Sequence, residues 1–169
     1  DGDSIGRLAS AIAERWGALD VLVLNAATLG TLTPVPQIDP KEFAKVLTLN
    51  VGAQAALLAA FDTMLRASSA ARVIGVTSSV GASPRAYWGS YAVSKAAFDA
   101  LLLTYADENA SAGRIRVALV DPGATRTAMR AKAFPGEDPT TIKAPEVVAA
   151  RIVALAGEPF DTGARVRIN

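Results

Sequence analysis

The hydrophobic residues of this chain alternate between helical spacing and short continuous runs. Near the start they recur every three or four positions, which predicts an amphipathic helix closed by Gly17. This stripe consists of Ile5, Leu8, Ala9, Ile12, Ala13 and Trp16. Residues 20–25 then form an uninterrupted run of Val and Leu between two polar ends, which predicts a buried strand.

The same alternation continues to the end of the sequence. Asp39 and Pro40 suit the cap and first position of a helix that runs to about Arg66. We predict further strands over residues 72–78, 115–120 and 165–168, and further helices over residues 90–110 and 145–156. The stretch 124–143 is rich in Thr, Pro and Gly, and we expect it to be a mobile loop.

Alternating strands and helices, with strands that are apolar on both faces, indicate a parallel sheet covered by helices on both sides. The predicted fold class is therefore α/β, a three-layer αβα Rossmann-like sheet. No internal repeat or linker divides the 169 residues, so we expect a single domain over residues 1–169.

Composition excludes several kinds of chemistry. The chain has no histidine and no cysteine, which rules out disulfides, zinc sites built on those residues and serine–histidine hydrolases. We expect no metal site. The net charge of +1 comes without a basic stripe, so nucleic acid is not an expected partner.

Membrane insertion is not expected from the sequence either. The longest apolar run, residues 51–61, is interrupted by Gln54. It is shorter than the roughly 20 residues that span a bilayer. No signal peptide is visible, and we expect a cytoplasmic protein.

Polar clusters follow three of the predicted strands. They are Asn25-Ala26-Ala27, Thr77-Ser78-Ser79 and Asp121-Pro122-Gly123. Since the carboxyl ends of parallel strands meet at one edge, where ligands bind, the three clusters predict a ligand site.

Tyr91 and Lys95 stand four residues apart in a predicted helix, so both side chains fall on one face. An ammonium beside a phenol favours the phenolate and lowers the tyrosine pKa. Such a tyrosine can exchange a proton with an alcohol or carbonyl near neutral pH. The structural alternative is a surface lysine one turn from a half-buried tyrosine, and the spacing alone does not separate the two.

Taken together, the motifs resemble the short-chain dehydrogenase/reductase family. The spacings also agree, with 28 residues from Asn50 to Ser78, 13 from Ser78 to Tyr91 and 4 from Tyr91 to Lys95. A subgroup of bacterial oxidoreductases is similar over residues 77–133. The motifs that carry the family resemblance are Leu24-Asn25-Ala26-Ala27, Asn50, Ser78-Ser79-Val80-Gly81, Tyr91-x-x-x-Lys95 and Pro122-Gly123-x-x-x-Thr127.

The resemblance implies four catalytic residues. Tyr91 would be the acid/base, and Lys95 would depress its pKa and hydrogen-bond the nicotinamide ribose. Ser78 would hold the substrate oxygen as charge develops. Asn50 would hold a water that links Lys95 to solvent. Ser79 is the alternative to Ser78, and for each hydroxyl the structural alternative is a turn cap.

The resemblance also implies NAD or NADP as cofactor and a small-molecule carbonyl or alcohol as substrate. Trp88 and Phe134 would line the substrate pocket, with core packing as the alternative. The cofactor-binding residues would be Asn25, Ala26, Tyr91, Lys95, Pro122, Gly123, Thr125 and Thr127.

Two departures from the family pattern stand out. Leu24 and Ala27 replace the first asparagine and the glycine of the family's Asn-Asn-Ala-Gly motif. No glycine-rich turn for the pyrophosphate precedes Asp20, nor does the residue that selects NAD or NADP. We therefore expect only the C-terminal portion of a Rossmann domain, with the edge of its first strand exposed.

The expected function is an NAD(P)-dependent oxidoreductase that interconverts a carbonyl and an alcohol. A non-catalytic dinucleotide-binding or regulatory protein, or an inactive fragment, is the alternative. A homo-oligomer is also expected, because the helices that start near Pro40 and Ser90 carry small residues that permit close packing. Packing of these helices on their own sheet is the competing interpretation.

Overall fold

The computed structural model describes residues 2–169. Four strands alternate with helical segments along this part of the chain, as the sequence predicted, and of the seven helices the short ones at Ser79–Ala82 and Ala128–Ala133 were not predicted. The helices are α1 (Gly2–Trp16), α2 (Pro40–Leu47), α3 (Ala53–Ala67), α4 (Ser79–Ala82), α5 (Gly89–Ala110), α6 (Ala128–Ala133) and α7 (Pro145–Gly157). The strands are β1 (Val21–Leu24), β2 (Ala71–Val76), β3 (Ile115–Asp121) and β4 (Ala164–Arg167).

The four strands form one parallel sheet in the order β1-β2-β3-β4. Each strand therefore lies beside its neighbour in the sequence, and a helical crossover joins each pair. β1 is an edge strand, as predicted, and its Val23 side chain is exposed. The parallel arrangement brings the carboxyl ends of all four strands to one edge.

Helices cover both faces of the sheet, which confirms the three-layer α/β fold. Val73 of β2 packs into a core shared with α1, α3 and α5. Its neighbour Ile74 points to the opposite face, where Val148 and Leu155 of α7 cover it. Successive strand residues thus enter different cores, which explains why the strands are apolar on both sides.

The helical stretch Pro40–Ala67 combines α2, a π-helical turn at Thr48–Gly52, and α3. Asp39 caps it by accepting a hydrogen bond from the Lys41 amide, as the sequence predicted. An 18-residue window within these 28 residues has a mean hydropathy of 1.4, so the stretch would suffice, by length and composition alone, to cross a membrane. This differs from the sequence estimate, which considered only the apolar run inside the helix. In the structure, α3 packs against α1 and β2.

The segment 124–143 is folded, and the expectation of a mobile loop was wrong. It contains α6, which Thr127 caps by accepting a hydrogen bond from the Arg130 amide. The ammonium of Lys132 donates a hydrogen bond of 3.1 Å to the carbonyl oxygen of Gly30. These local caps and the contact with the loop after β1 give order to a sequence whose composition is typical of loops.

Candidate active site

A cavity of about 130 Å³ opens at the carboxyl edge of the sheet, between β2, β3 and α5. Most of the residues that the sequence predicted for catalysis or cofactor binding meet there. The predicted residues that line it are Ser78, Trp88, Tyr91, Pro122, Gly123, Thr125 and Thr127.

Ser78 and Tyr91 both line this cavity. Ser78 follows β2 and caps the short helix α4, while Tyr91 lies in the first turn of α5. The Ser78 side chain is a hydrogen-bond partner of the Tyr91 phenol. Ser79 lies instead on the wall of a neighbouring cavity, which favours Ser78 over its sequence alternative.

The pKa of Tyr91 is raised, not lowered as the sequence predicted. Tyr91 is only 8% exposed, and its burial raises the pKa to about 12 because a phenolate is poorly solvated there. The hydrogen bond with Ser78 opposes this rise, whereas the negative charge of Asp121 adds to it. In this chain the tyrosine therefore keeps its proton at neutral pH.

Lys95 lies one turn after Tyr91, but its ammonium binds the strand. Its Nζ donates a hydrogen bond of 2.8 Å to the carbonyl oxygen of Val76 and lies 5.8 Å from the centre of the Tyr91 ring. Burial lowers the pKa of Lys95 to about 8, and the charge of Asp99 opposes this change. Lys95 is not among the causes of the Tyr91 pKa shift, which are burial, Ser78 and Asp121.

Asn50 is buried in the π-helical turn and has protein partners on both ends of its amide. Its Oδ1 accepts a hydrogen bond of 2.8 Å from the Thr28 amide. Its Nδ2 donates to the Thr28 carbonyl and to the Ser94 hydroxyl, each at 2.9 Å. Ser94 in turn donates to the carbonyl oxygen of Tyr91. The Asn50 side chain thus joins the loop after β1 to the first turn of α5. Its amide group is bound by Thr28 and Ser94, where the resemblance implied a bound water.

Asn25 and Ala26 lie in the exposed loop after β1, outside the lining of this cavity. The carbonyl oxygen of Ala26 accepts a hydrogen bond of 2.9 Å from the buried Gln54 side chain. This contact fixes the course of the loop from the side of α3. The two residues therefore lie at the same edge of the sheet as the cavity without entering it.

The turn after β3 requires a glycine for reasons within the chain itself. Gly123 has φ of +62°, and a Cβ there would lie 2.9 Å from the carbonyl oxygen of Ile168. Thr125 is buried and donates a hydrogen bond of 3.1 Å to the Pro122 carbonyl. Thr127 lines the cavity while it caps α6, so its cap role and its place in the site coexist.

Trp88 lines the cavity, and Phe134 packs against the Trp88 ring. The two ring centroids are 5.7 Å apart, and the Trp88 ring also meets Tyr91 edge-on at 6.0 Å. The residue before Trp88, Tyr87, has a positive φ of 72°. Such a conformation is rare for a residue with a large side chain and is common near functional sites.

The outer wall of the cavity includes side chains that the sequence did not assign to the site one by one. Arg130 belongs to it and stacks on Phe134, with its guanidinium carbon 3.7 Å from the ring centroid. Both branches of the guanidinium also bind the Glu137 carboxylate, at 2.5 and 2.6 Å. The sequence indicated residues 124–143 as the segment in which substrate specificity would largely lie, and most of this wall belongs to that segment. Its apolar members are Leu29, Met129 and Ala133.

A parallel sheet with helices on both faces and a polar cavity at its carboxyl edge defines a Rossmann-like α/β protein. The sequence model of the short chain dehydrogenase family matches residues 1–138. The chain belongs to this family.

Curated relatives agree with this assignment. The chain is 39% identical to the oxidoreductase YciK of Escherichia coli over 152 residues, which are 90% of this chain and 60% of YciK. It is 29% identical to a cis-4-hydroxycyclohexanecarboxylate dehydrogenase of Sinomonas cyclohexanicum, over 100% of this chain and 72% of that protein. The chain therefore spans about 60% of the length of the first of these relatives.

Solved structures are similar over almost the whole chain. A short-chain dehydrogenase from Pseudomonas syringae superimposes with a TM-score of 0.94 at 35% identity, over 99% of this chain and 68% of that one. A short-chain dehydrogenase from Escherichia coli in complex with NADPH gives 0.93 at 37% identity, over 99% and 70%.

Proposed function

We propose that the protein is an NAD(P)-dependent oxidoreductase that interconverts a carbonyl and an alcohol, with Tyr91 as its acid/base. The observation that carries this proposal is the pairing of the Ser78 hydroxyl with the Tyr91 phenol in one cavity at the carboxyl edge of the sheet. Two hydroxyl groups on one wall can both donate hydrogen bonds to a single carbonyl oxygen.

Carbonyl reduction suits the protonation state of Tyr91. Because burial raises its pKa to about 12, the phenol carries its proton throughout the neutral range. It can donate this proton to the substrate oxygen as negative charge develops there. Ser78 would stabilise the same oxygen by a second hydrogen bond. In the reverse direction Tyr91 must first lose its proton, so alcohol oxidation requires a higher pH.

The residues at this edge fit the nicotinamide end of a dinucleotide. The Pro122–Gly123 turn, Thr125 and Thr127 line the same cavity as Tyr91. Asn25 lies exposed at the same edge. A bound nicotinamide would supply or accept the hydride. NADPH is the cofactor of one similar solved structure, and NADP or NAD is the class that we propose here.

The outer wall favours a substrate with hydrocarbon next to its carbonyl group. Leu29, Met129 and Ala133 present apolar side chains there. The one arginine in this wall, Arg130, is already bound by Glu137. A carboxylate on the substrate would therefore lack a free cationic partner, and we propose uncharged aliphatic or cyclic ketones and alcohols as substrates.

Turnover by the protein from its natural gene tests this proposal. Consumption of NADPH is followed with a panel of neutral ketones and with the same ketones carrying a carboxylate. The neutral compounds are expected to react faster, and Ser78→Ala is expected to lower kcat about 100- to 1,000-fold. Ser79→Ala is the matched control and should retain activity. Equal loss in both variants, or no turnover of any compound, contradicts the proposal.

We further propose that the protein is a cytoplasmic homo-oligomer without membrane contact. A surface cavity of about 370 Å³ runs between α3 and α5, lined by small and apolar residues such as Ala55, Ala59 and Leu101. A second copy can approach closely there. Ala59→Arg should shift the sedimentation coefficient to that of the monomer, whereas Ala149→Arg, at an exposed position of α7, should leave it unchanged.

A further inference from the structure

Three successive residues at the end of β2 are each held by a different turn of α5. The carbonyl oxygen of Val76 accepts the hydrogen bond from Lys95. The hydroxyl of Thr77 donates to the Asp99 carboxylate. Ser78 pairs with Tyr91. Tyr91, Lys95 and Asp99 are spaced by four residues, so one face of the helix holds the whole strand end.

Asp99 has the most complete set of contacts among these groups. One of its carboxylate oxygens accepts from Thr77, and the other accepts a hydrogen bond of 2.6 Å from Arg165 of β4. Its side chain is 8% exposed, whereas that of Arg165 is 50% exposed. The carboxylate of Asp99 is thus buried, one helical turn after Lys95. Its cationic partner Arg165 is half-exposed at the surface.

Lys95 needs such a neighbour because its ammonium is buried at 3% exposure. A buried cation is unstable unless an opposite charge or good hydrogen bonds compensate for lost water. The Lys95 ammonium lies 5.8 Å from the centre of the Tyr91 ring and is acted on by the charge of Asp99, which in turn binds Arg165, while Asp121 acts on Tyr91. Asp99 is the anion that acts directly on Lys95.

We propose that Asp99 is a positioning residue of the active site: it supplies the charge that keeps Lys95 cationic and, through Thr77, fixes Ser78 opposite Tyr91. The idea rests on the proposed function, in which Ser78 and Tyr91 act on the substrate. In the competing interpretation, Asp99 only stabilises the contact between α5 and β4 and has no influence on Lys95. The two interpretations differ in how Lys95 responds to the loss of each partner.

The test measures the titration of Lys95 in the full chain by NMR of its side-chain nitrogen and adjacent carbon. Lys41, Lys45, Lys132 and Lys143 serve as internal references. Asp99→Asn removes the anion and is expected to move the Lys95 titration to lower pH by on the order of one pH unit. Arg165→Gln removes a cation but leaves the carboxylate, and is expected to move it to higher pH.

Shifts of the Lys95 titration in opposite directions in the two variants support the proposal. If Asp99 only stabilised the contact between α5 and β4, both variants would change the titration in the same way. An unchanged Lys95 titration in Asp99→Asn, or a shift to lower pH in Arg165→Gln, overturns it. If Asp99→Asn does not fold, Arg165→Gln alone decides by the sign of its shift. The readout needs no turnover, so it separates this inference from the failure of the proposed function.

A kinetic measurement on the protein from its natural gene tests the link to catalysis. Asp99→Asn should lower kcat at least 10-fold with little change in KM, and should shift the basic limb of the pH profile in the direction of the Lys95 titration. Asp99→Glu, which restores the charge, should recover part of the loss. A kcat that is equal in wild type and Asp99→Asn overturns the positioning role.

Discussion

The Lys95 ammonium donates its hydrogen bond to the carbonyl oxygen of Val76, at 2.8 Å. The lysine of the Tyr-x-x-x-Lys motif therefore holds the end of β2, two residues before Ser78. Tyr91 meanwhile remains a buried neutral phenol with a pKa of about 12. In this structure Lys95 is bound to the end of β2, and the neighbouring Tyr91 is a protonated acid.

The two directions of the reaction should respond differently to pH. Carbonyl reduction uses the protonated phenol, which persists at all pH values well below about 12. Alcohol oxidation needs the phenolate, so its rate should rise with pH. Initial rates measured in both directions between about pH 6 and 9 check this. A reduction rate that rises with pH as steeply as the oxidation rate contradicts it.

Burial of Lys95 should make stability depend on pH in a defined direction. Its pKa is about 8 in the folded chain and 10.5 ordinarily, so between these values unfolding takes up a proton. The free energy of unfolding therefore rises with pH in this window, because the buried ammonium loses its charge. The rise is at most about 3 kcal/mol.

Lys95→Met isolates this contribution. The free energy of unfolding of wild type minus that of the variant, from urea titrations, should increase between about pH 7 and 9.5. Staying below pH 10 avoids the titration of the unfolded tyrosines. A difference that is constant or falls with pH contradicts the assignment of a lowered pKa to Lys95.

Asn50 should matter for stability as well as for activity. Asn50→Ala leaves both the amide and the carbonyl of Thr28 without their partner. The expected loss is about 2–4 kcal/mol of unfolding free energy. Asn109→Ala is the matched control, since Asn109 is equally buried at 1% but donates only to the Tyr105 carbonyl one turn back. Equal losses in the two variants, measured by urea denaturation, speak against a cross-linking role for Asn50.

The close approach of α4 and α5 depends on Gly81. A Cβ at this position would lie 3.0 Å from the Ala96 amide nitrogen and from the Lys95 carbonyl carbon, which are backbone atoms with little freedom to move. Gly81→Ala is expected to lower stability by about 1–3 kcal/mol and to reduce turnover, because it separates Ser78 from Tyr91.

Gly157→Ala provides the control for this substitution. No atom lies within 4 Å of a Cβ at Gly157, at the end of α7. Alanine there should leave stability unchanged or raise it slightly. Thermal unfolding of both variants gives the comparison, and a Gly81→Ala protein as stable as wild type would contradict the packing argument.

The sequence was sufficient for the order and type of the main elements. Apolar runs on both faces predicted a parallel sheet, and the Asp39–Pro40 cap predicted the helix start. The position of Ser78 at the carboxyl edge followed from topology, because carboxyl ends of parallel strands share one edge, and its partnership with Tyr91 was expected from the family resemblance.

Tertiary contacts decided what the sequence did not predict. Asn50 reaches Thr28 across 22 residues, and no local pattern encodes that bond. The raised pKa of Tyr91 reflects how deeply its ring is buried, which spacing alone does not reveal. The helix α6 lies in a segment whose composition is typical of loops, and its contacts with Gly30 through Lys132 are tertiary ones that the sequence does not show.

Replacement of Tyr91 by Phe tests the central claim most directly. The substitution removes one hydroxyl and leaves the packing against Trp88 intact. NADPH-dependent reduction of the best ketone, measured with the protein from its natural gene, should lose about 100- to 10,000-fold in kcat. Binding of NADPH, followed by its fluorescence, should persist. A Tyr91→Phe protein whose kcat stays within a few-fold of wild type would contradict the assignment of Tyr91 as the acid/base.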